Sequence, residues 1–485
     1  MAQGVRMVGA LKNIKNNKIF EKFSYSMLGT ILIRAVDLIS IPIFTRLMDA
    51  ASYGRVSVFT TYVQVFMVIL GLDFHAGVDR ATQEYKEKKN EFYSVTLFFT
   101  MLWSAVLILI FNVFPALTGR LLAMNQYEFN IMLVYSYAYF IVHYKSMQYI
   151  YNMMYIKNLL MSIAVACGNL ILSVIFILSF LQDDKFLGRI LGAMIPTVII
   201  AIVILCNTFK NSKVLVKKEY LKYALSFSVP LIPHTLANMI LANSDRIMIQ
   251  SMIGDSQSGI YSVAYTVGLM MHVVSEGLNN VWKPLLFRRM EKGKKQLIKR
   301  QARIYLLAYT FVAVGVIGVS PEIMKIIASV EYRDGINLVM WLCLSTYFIF
   351  VYQLYVDIEY YNKKTAYMSI GTFMAAIVNI ALNMLGIPQY GYEFAAISTV
   401  VSYAVLILFH SVIVNGFIKE RVIDTLFTTM IALGMVGITF VLNLLRNTII
   451  KRYLILFFIE TLVFLVLGMM YLNERRNHSQ ENKEI

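Results

Sequence analysis

The feature that most constrains this chain is a succession of fourteen apolar runs, each about 20 residues long and separated by charged breaks. They fall near residues 24–45, 56–77, 92–114, 130–152, 159–181, 188–208, 222–243, 259–282, 303–320, 336–358, 366–386, 393–415, 423–445 and 453–472. A run of this length crosses a bilayer as a helix, because lipid offers no partner to a backbone N–H or C=O and a helix satisfies its own. Barrel strands need only about half that length, so a barrel is excluded. Fourteen spans consume about 300 residues of 485, and no sizeable extramembrane domain fits in the remainder. Composition agrees, with 58% of residues apolar and 15% charged, against about 45–50% and about 25% in soluble chains. The expected fold class is an all-α polytopic membrane protein of about 14 transmembrane helices.

Forty-four Lys+Arg against 28 Asp+Glu give a net charge of +16. In a membrane chain this excess is first a topology signal, so nucleic acid is not an expected partner. The N-terminal tail and the even-numbered loops carry 31 of the 44 basic residues, whereas the opposite loops carry 11, among them Arg46 and Arg55. By the positive-inside rule both termini are expected in the cytoplasm of a multi-pass plasma-membrane protein. The basic N-terminal tail reads as the flank of an uncleaved first span. The richest basic stretch, Lys283 to Arg303, reads first as a loop that orients the chain, with attraction of anionic headgroups at about 1 kcal/mol per basic residue as the alternative. Cys167, Cys206 and Cys343 are far apart inside apolar runs and suggest neither a disulfide framework nor a metal site.

A shift of 205 residues places Gly54, Ser57 and Val58 on Gly259, Ser262 and Val263, and Gln148 and Tyr155 on Gln353 and Tyr360. The same shift superposes the second span on the eighth and the fourth on the tenth. Two pseudo-symmetric six-helix bundles are implied, both entered from the same side, with a repeat axis along the membrane normal. The expected division is a cytoplasmic tail (1–22), an N-terminal bundle (23–208), a cytoplasmic linker (209–221), a C-terminal bundle (222–415), helices 13 and 14 (416–472) and a cytoplasmic tail (473–485).

Ionisable groups inside spans cost roughly 2.5–3.5 kcal/mol each on insertion scales and usually face a cavity or a partner. Arg34 and Asp37, at i and i+3 in the first span, either neutralise each other or line a cavity where Arg34 meets an anion. Lys145 and His143 sit in the fourth span beside the stripe Tyr137, Tyr144, Gln148, Tyr151 and Tyr155. The tenth span offers Tyr347, Tyr352, Gln353, Tyr355, Asp357 and Glu359. Amphipathic rings with hydrogen-bonding tips suit sugars, and the same stripes equally suit helix packing and interfacial belts. The candidate sugar-binding residues are Tyr137, Tyr144, Gln148, Tyr151, Tyr347, Gln353 and Tyr355.

Pro42, Pro196, Pro230 and Pro233 bend or frame helices and offer hinges, or else static kinks. Asn238, Asn243 and Asp245 in the seventh span, with Asn379 and Asn383 in the eleventh, could supply oxygens to a small cation. Asp245 adjoins Arg246, and an interfacial pair between them is the favoured reading. Glu276 with His272 is a comparable proton-relay candidate. His75, His234 and His410 read as isolated packed or interfacial residues, and Glu460 has no evident partner. Phosphate-loop, zinc-protease and nucleophile-elbow motifs are absent, so no enzyme and no cofactor is expected, and Na⁺, H⁺ or the membrane potential would supply energy.

Two stretches carry a resemblance. The first holds Gly29, Arg34, Pro42, Thr45-Arg46-Leu47 and Tyr53-Gly54. The second holds Pro230-Leu231-Ile232-Pro233, Ser244-Asp245-Arg246, Gly259-Ile260-Tyr261-Ser262 and Trp282-Lys283-Pro284. Together they resemble the bacterial polysaccharide-biosynthesis transporters, lipid-linked oligosaccharide flippases of the multidrug/oligosaccharidyl-lipid/polysaccharide exporter superfamily. The resemblance implies flipping of an undecaprenyl-pyrophosphate-linked sugar unit, such as an O-antigen or capsule repeat, to the outer leaflet of the bacterial inner membrane by alternating access. It implies a cationic cavity, for which Arg34, Lys145, Arg46 and Arg55 are the diphosphate candidates. It also implies a cation site on the seventh, eleventh and twelfth helices, which Asp245, Asn379 and Asn383 match without a second carboxylate. Implied partners are the lipid-linked oligosaccharide, membrane lipids, and a polysaccharide polymerase with its chain-length machinery. A cation-coupled drug exporter is the rival within the same superfamily, disfavoured by the in-span basic residues. A membrane polymerase is the rival enzyme, disfavoured by short external loops.

Overall fold

The structure, a computed structural model, describes residues 36, 38–114 and 124–481, with side chains through Leu472. Among the described residues every regular element is helical. In chain order they are α1 (Leu38–Leu47), α2 (Ala50–Gly71), α3 (Val78–Glu84), α4 (Lys89–Val113), α5 (Gln126–Tyr151), α6 (Tyr155–Ile175), α7 (Lys185–Asn211), α8 (Lys218–Ser228) and α9 (Ile232–Met252). They continue with α10 (Asp255–Glu291), α11 (Lys295–Ile327), α12 (Ile336–Tyr361), α13 (Thr365–Tyr390), α14 (Phe394–Val412), α15 (Thr425–Leu444) and α16 (Ile449–Glu481). Among the described residues eleven helical stretches are long and apolar enough to cross a membrane. The fourth and eighth expected spans lie within α5 and α10, which are helical but fall outside those eleven; the described part of the first is α1, the seventh is divided between α8 and α9, and α3 corresponds to no apolar run.

Sequence sets the helix starts. Asn125 and Asp184 accept from the backbone N–H of Glu128 (2.8 Å) and Leu187 (3.0 Å), the orphan donors of a first turn. Asp49 does the same for Ser52 at 2.8 Å. Pro230 opens a short 3₁₀ turn, Val229–Leu231, which separates α8 from α9 inside the seventh span.

One expectation is corrected. The basic stretch Lys283–Arg303 is a helical hairpin and not a loop: α10 runs to Glu291, α11 begins at Lys295, and the turn between them holds Gly293 at φ 65°. At 37 residues α10 is about 55 Å long, well beyond the roughly 30 Å of hydrocarbon. Its basic end therefore projects past the membrane.

Contact clustering divides the chain into two compact units, one of residues 1–43 and 58–239, the other of residues 44–57 and 240–485. The first unit's core gathers Val68, Phe74, Phe92, Val95, Phe140, Tyr144 and Tyr220. Within it the Tyr144 hydroxyl on α5 shares a hydrogen bond with the Thr96 hydroxyl on α4, at 2.7 Å. The second unit repeats the motif one bundle later, where Tyr347 on α12 meets Thr310 on α11 at 2.8 Å. The second unit also includes α15 and α16. Arg452 of α16 is fully buried, donating to the Arg446 carbonyl at 2.8 Å and to the Glu322 carboxylate on α11.

The first turns of α2 belong to the second unit, where they cross the first turns of α10. A Cβ on Gly54 would sit 1.9 Å from the Asp255 carbonyl oxygen, and one on Gly259 would sit 2.0 Å from the Ala50 carbonyl oxygen. Ala50 and Asp255 are related by the same 205-residue shift as Gly54 and Gly259, so the contact is reciprocal, like an isologous two-fold interface. Only glycine permits so close a backbone approach.

Candidate functional site

Chemically capable side chains gather at one place in each unit. In the second unit the centre is Asp245 on α9, 1% exposed. Its Oδ2 accepts from the Tyr261 hydroxyl on α10 and the Thr399 hydroxyl on α14, both at 2.6 Å. Its Oδ1 accepts from Asn383 Nδ2 on α13, also at 2.6 Å. Asn379 stands one turn from Asn383, and its Oδ1 accepts from Ser244 at 2.9 Å and from Asn383 at 3.2 Å. Ser398 donates to Asn383 Oδ1. Arg246 does not pair with its neighbour. It donates to Asn243 at 3.2 Å and lies 4.8 Å from the Tyr265 ring centre.

Four helices thus converge a single carboxylate with amide and hydroxyl oxygens in a site without water access. A buried carboxylate held by several charge-assisted hydrogen bonds is stable without a cationic side chain. The same oxygens form a hard donor set, and one carboxylate among neutral oxygens suits a monovalent cation better than a divalent one. The structure therefore brings together Asp245, Asn379 and Asn383. Glu276 stands apart, four turns further along α10 than Tyr261, partly exposed and 3.4 Å from His272.

The first unit holds Lys145 on α5, whose ammonium donates to Gln148 Oε1 at 3.0 Å and lies 5.0 Å from the Tyr149 ring centre. Near the end of α2 the fully buried Asp73 accepts from the Thr235 hydroxyl at 2.7 Å and lies 3.2 Å from His75 Nδ1. The His75 ring meets His143 edge-on at 4.7 Å between centres. Asp73 and Leu72 both take left-handed backbone, φ 54° and 51°, which turns the chain sharply after α2.

The remaining candidates are dispersed. Arg34 and Asp37 lie outside the described residues. Arg46 donates to the carbonyls of Ile326 and Ile327, each at 3.3 Å, and so caps the C-terminal end of α11. Arg55 is half-buried on α2. Tyr144, Tyr347 and Tyr355 are fully buried, which seals them from any ligand in this conformation, and Gln148 is nearly so. Tyr137 is half-buried and stacks on Phe140, whereas Tyr151 is exposed at the end of α5. Gln353 donates to Asp357 at 3.1 Å, and Lys283 approaches the same oxygen at 3.7 Å.

Several functional-looking contacts have no local sequence signal. Tyr261, Ser398 and Thr399 complete the Asp245 cluster. His410, expected to be isolated, lies 2.7 Å from Glu359 in a buried pair. Glu460 faces Gly315, where an added Cβ would lie 2.9 Å from its Oε1.

Comparison with known proteins places these features. The "Lsg locus putative protein 1" of Haemophilus influenzae is 20% identical over 378 residues, covering 75% of this chain and 90% of that protein. Among solved structures, "Lipid II flippase MurJ, inward closed conformation" matches with a TM-score of 0.68 at 16% identity, over 93% of this chain and 99% of the other. A multidrug resistance MATE family transporter of the MOP superfamily, in an inward-facing conformation, matches at 0.60 and 12% identity over 84% of this chain and all of the other. At these identities the structural matches establish the fold. The family model described as "Polysaccharide biosynthesis protein" matches residues 19–290, more than half of the chain, and the chain belongs to that polysaccharide biosynthesis family.

Proposed function

We propose that this chain is a flippase that carries undecaprenyl-pyrophosphate-linked oligosaccharide repeat units from the cytoplasmic to the outer leaflet of the bacterial inner membrane by alternating access. The observation that carries this reading is a fold like that of a lipid II flippase over 93% of the chain, in a member of a polysaccharide biosynthesis family. Physical chemistry supports it. A diphosphate with attached sugars cannot enter hydrocarbon unaided, and a fixed cation inside a span earns its insertion cost by meeting such a headgroup. Lys145 is the described in-span cation suited to this role, with Arg34 as its expected companion and Arg46 and Arg55 assisting where the headgroup leaves. Tyr137, Tyr151 and Gln353 keep access to a ligand and are assigned sugar contact. Tyr144, Gln148, Tyr347 and Tyr355 would join them only when the bundles repack.

Asp245, Asn379, Asn383 and Thr399 are assigned the coupling cation, Na⁺ by the hardness and single charge of the set. Glu276 with His272 is the alternative coupling group, through a proton. No residue is assigned a catalytic role.

The test is translocation of a fluorescent polyprenyl-pyrophosphate glycan in vesicles reconstituted with the full chain. Lys145→Ala is expected to lower the rate about 10-fold, roughly the worth of one charge-assisted contact, with an unchanged melting temperature. Absence of translocation by the wild-type chain, together with efflux of lipophilic cations, would establish the exporter reading that the MATE-like fold also accommodates.

A further inference from the structure

Beyond the flippase reading, the second unit holds a cleft of about 460 Å³ lined by Lys299 of α11, Ser411 and Val412 of α14, Asn415, Arg421, Ile423, and Asp424, Thr425 and Leu426 at the start of α15. The Asp245 cluster does not line it, and of the glycan candidates Tyr355 alone approaches its wall, at Thr425. We infer that this cleft binds the headgroup of an anionic phospholipid, whose acyl chains lie along α14 and α15.

Three observations carry the inference. The first is charge. Lys299 and Arg421 both line the cleft, and its carboxylate, Asp424, is already engaged by Arg303 and lies 3.8 Å from Lys299. Against that one carboxylate stand three cations, Arg303, Lys299 and Arg421, so the cleft keeps a net positive charge that attracts an anion. The Arg421 side chain is exposed and makes no ion pair or hydrogen bond among the described residues. The second is backbone. α14 ends in a π-helical turn, Ile413–Phe417, in which Ile418 N–H reaches the Ile413 carbonyl at 2.9 Å. Such widened turns recur at functional positions. Here the turn carries Asn415 across to Ser411 and Thr425, bonding them at 2.6 and 2.8 Å, and so fixes two walls of the cleft.

The third observation is the apolar continuation. Leu408 and Val412 on α14 form one exposed stripe at helical spacing, and Leu426, Met430 and Leu433 on α15 form another. Both lead away from the basic end. Bulk bilayer covers such stripes in any case; a free phosphate would use the charge alone, and a zwitterionic lipid seated here would use the stripes and gain little from the charge. Only an amphiphile with a net negative head uses both.

The experiment uses the full-length chain, purified in detergent, delipidated and incubated with phosphatidylglycerol or phosphatidylcholine, with bound lipid counted by native mass spectrometry. Phosphatidylglycerol is expected to be retained about 10-fold more than phosphatidylcholine. The double variant Lys299→Ala/Arg421→Ala should remove that preference, while Arg421→Lys retains it. The single variant Arg421→Ala touches no existing partner, cannot disturb the fold through a lost contact, and should weaken the preference about threefold. Equal retention of the two lipids by the wild type, or an undiminished preference in the double variant, overturns the inference. So does displacement of phosphatidylglycerol by millimolar inorganic phosphate, which would identify the occupant as a free anion. Because binding is read without transport, its failure leaves the flippase reading standing, and loss of transport leaves the lipid site standing.

Discussion

At Asp245 one carboxylate collects three hydrogen bonds from three other helices, and the two kinds of substitution there separate its roles. Asp245→Ala leaves the Tyr261 hydroxyl buried without its acceptor, while Thr399 and Asn383 fall back on the Ala395 carbonyl and Asn379, so the cost is about 1–3 kcal/mol for the one group left unsatisfied. A clear fall in melting temperature is the expected result. Asp245→Asn preserves shape and should cost less, but it removes the charge that a cation needs. Replacing potassium chloride with sodium chloride is therefore expected to raise the melting temperature of the wild-type chain and to leave that of Asp245→Asn unchanged. An equal rise in both would remove Asp245 from the cation site. Much of this cluster was legible beforehand, because Asp245, Asn379 and Asn383 are polar groups in otherwise apolar runs. Tyr261, Ser398 and Thr399 were not, since hydroxyls are common in spans and usually bond to their own helix's carbonyls. The approach of His75 to His143 left no trace either, as it depends on the left-handed turn at Leu72 and Asp73.

Among the helices, the all-helical class and the approximate limits of most spans followed from apolar length alone, a local property. The failure at Lys283–Arg303 has an equally local cause. Hydropathy reads Lys and Arg as breaks, yet both are good helix formers, and outside the membrane nothing stops α10 and α11 from continuing through them to Gly293. The paired hydroxyl contacts behave as equivalents. Thr96→Val and Thr310→Val should each cost about 1 kcal/mol by removing a hydrogen bond to a buried tyrosine. Because each lies in its own unit, the double variant should lose the sum. A double-mutant cycle by thermal or chemical unfolding checks this, and strong non-additivity would mean that the two contacts are coupled.

For the molecule as a whole, the bias of basic residues toward one set of loops predicts an orientation that labelling can test. In a background with Cys167, Cys206 and Cys343 replaced, a cysteine at Lys292 in the α10–α11 turn is expected to resist a membrane-impermeant thiol reagent applied to intact cells. One at Lys185, at the start of α7, should react. The opposite pattern would invert the topology and with it the direction of flipping. The 205-residue repeat was visible as five scattered identities, and its physical meaning emerges where Gly54 and Gly259 touch. Each glycine lies against the backbone of its own counterpart's helix, so this junction is one surface meeting its own likeness. Residues 1–205 and 206–485 produced as separate polypeptides are accordingly expected to co-purify. Gly54→Leu or Gly259→Leu should part them, since whatever one half loses at that seam the other loses with it.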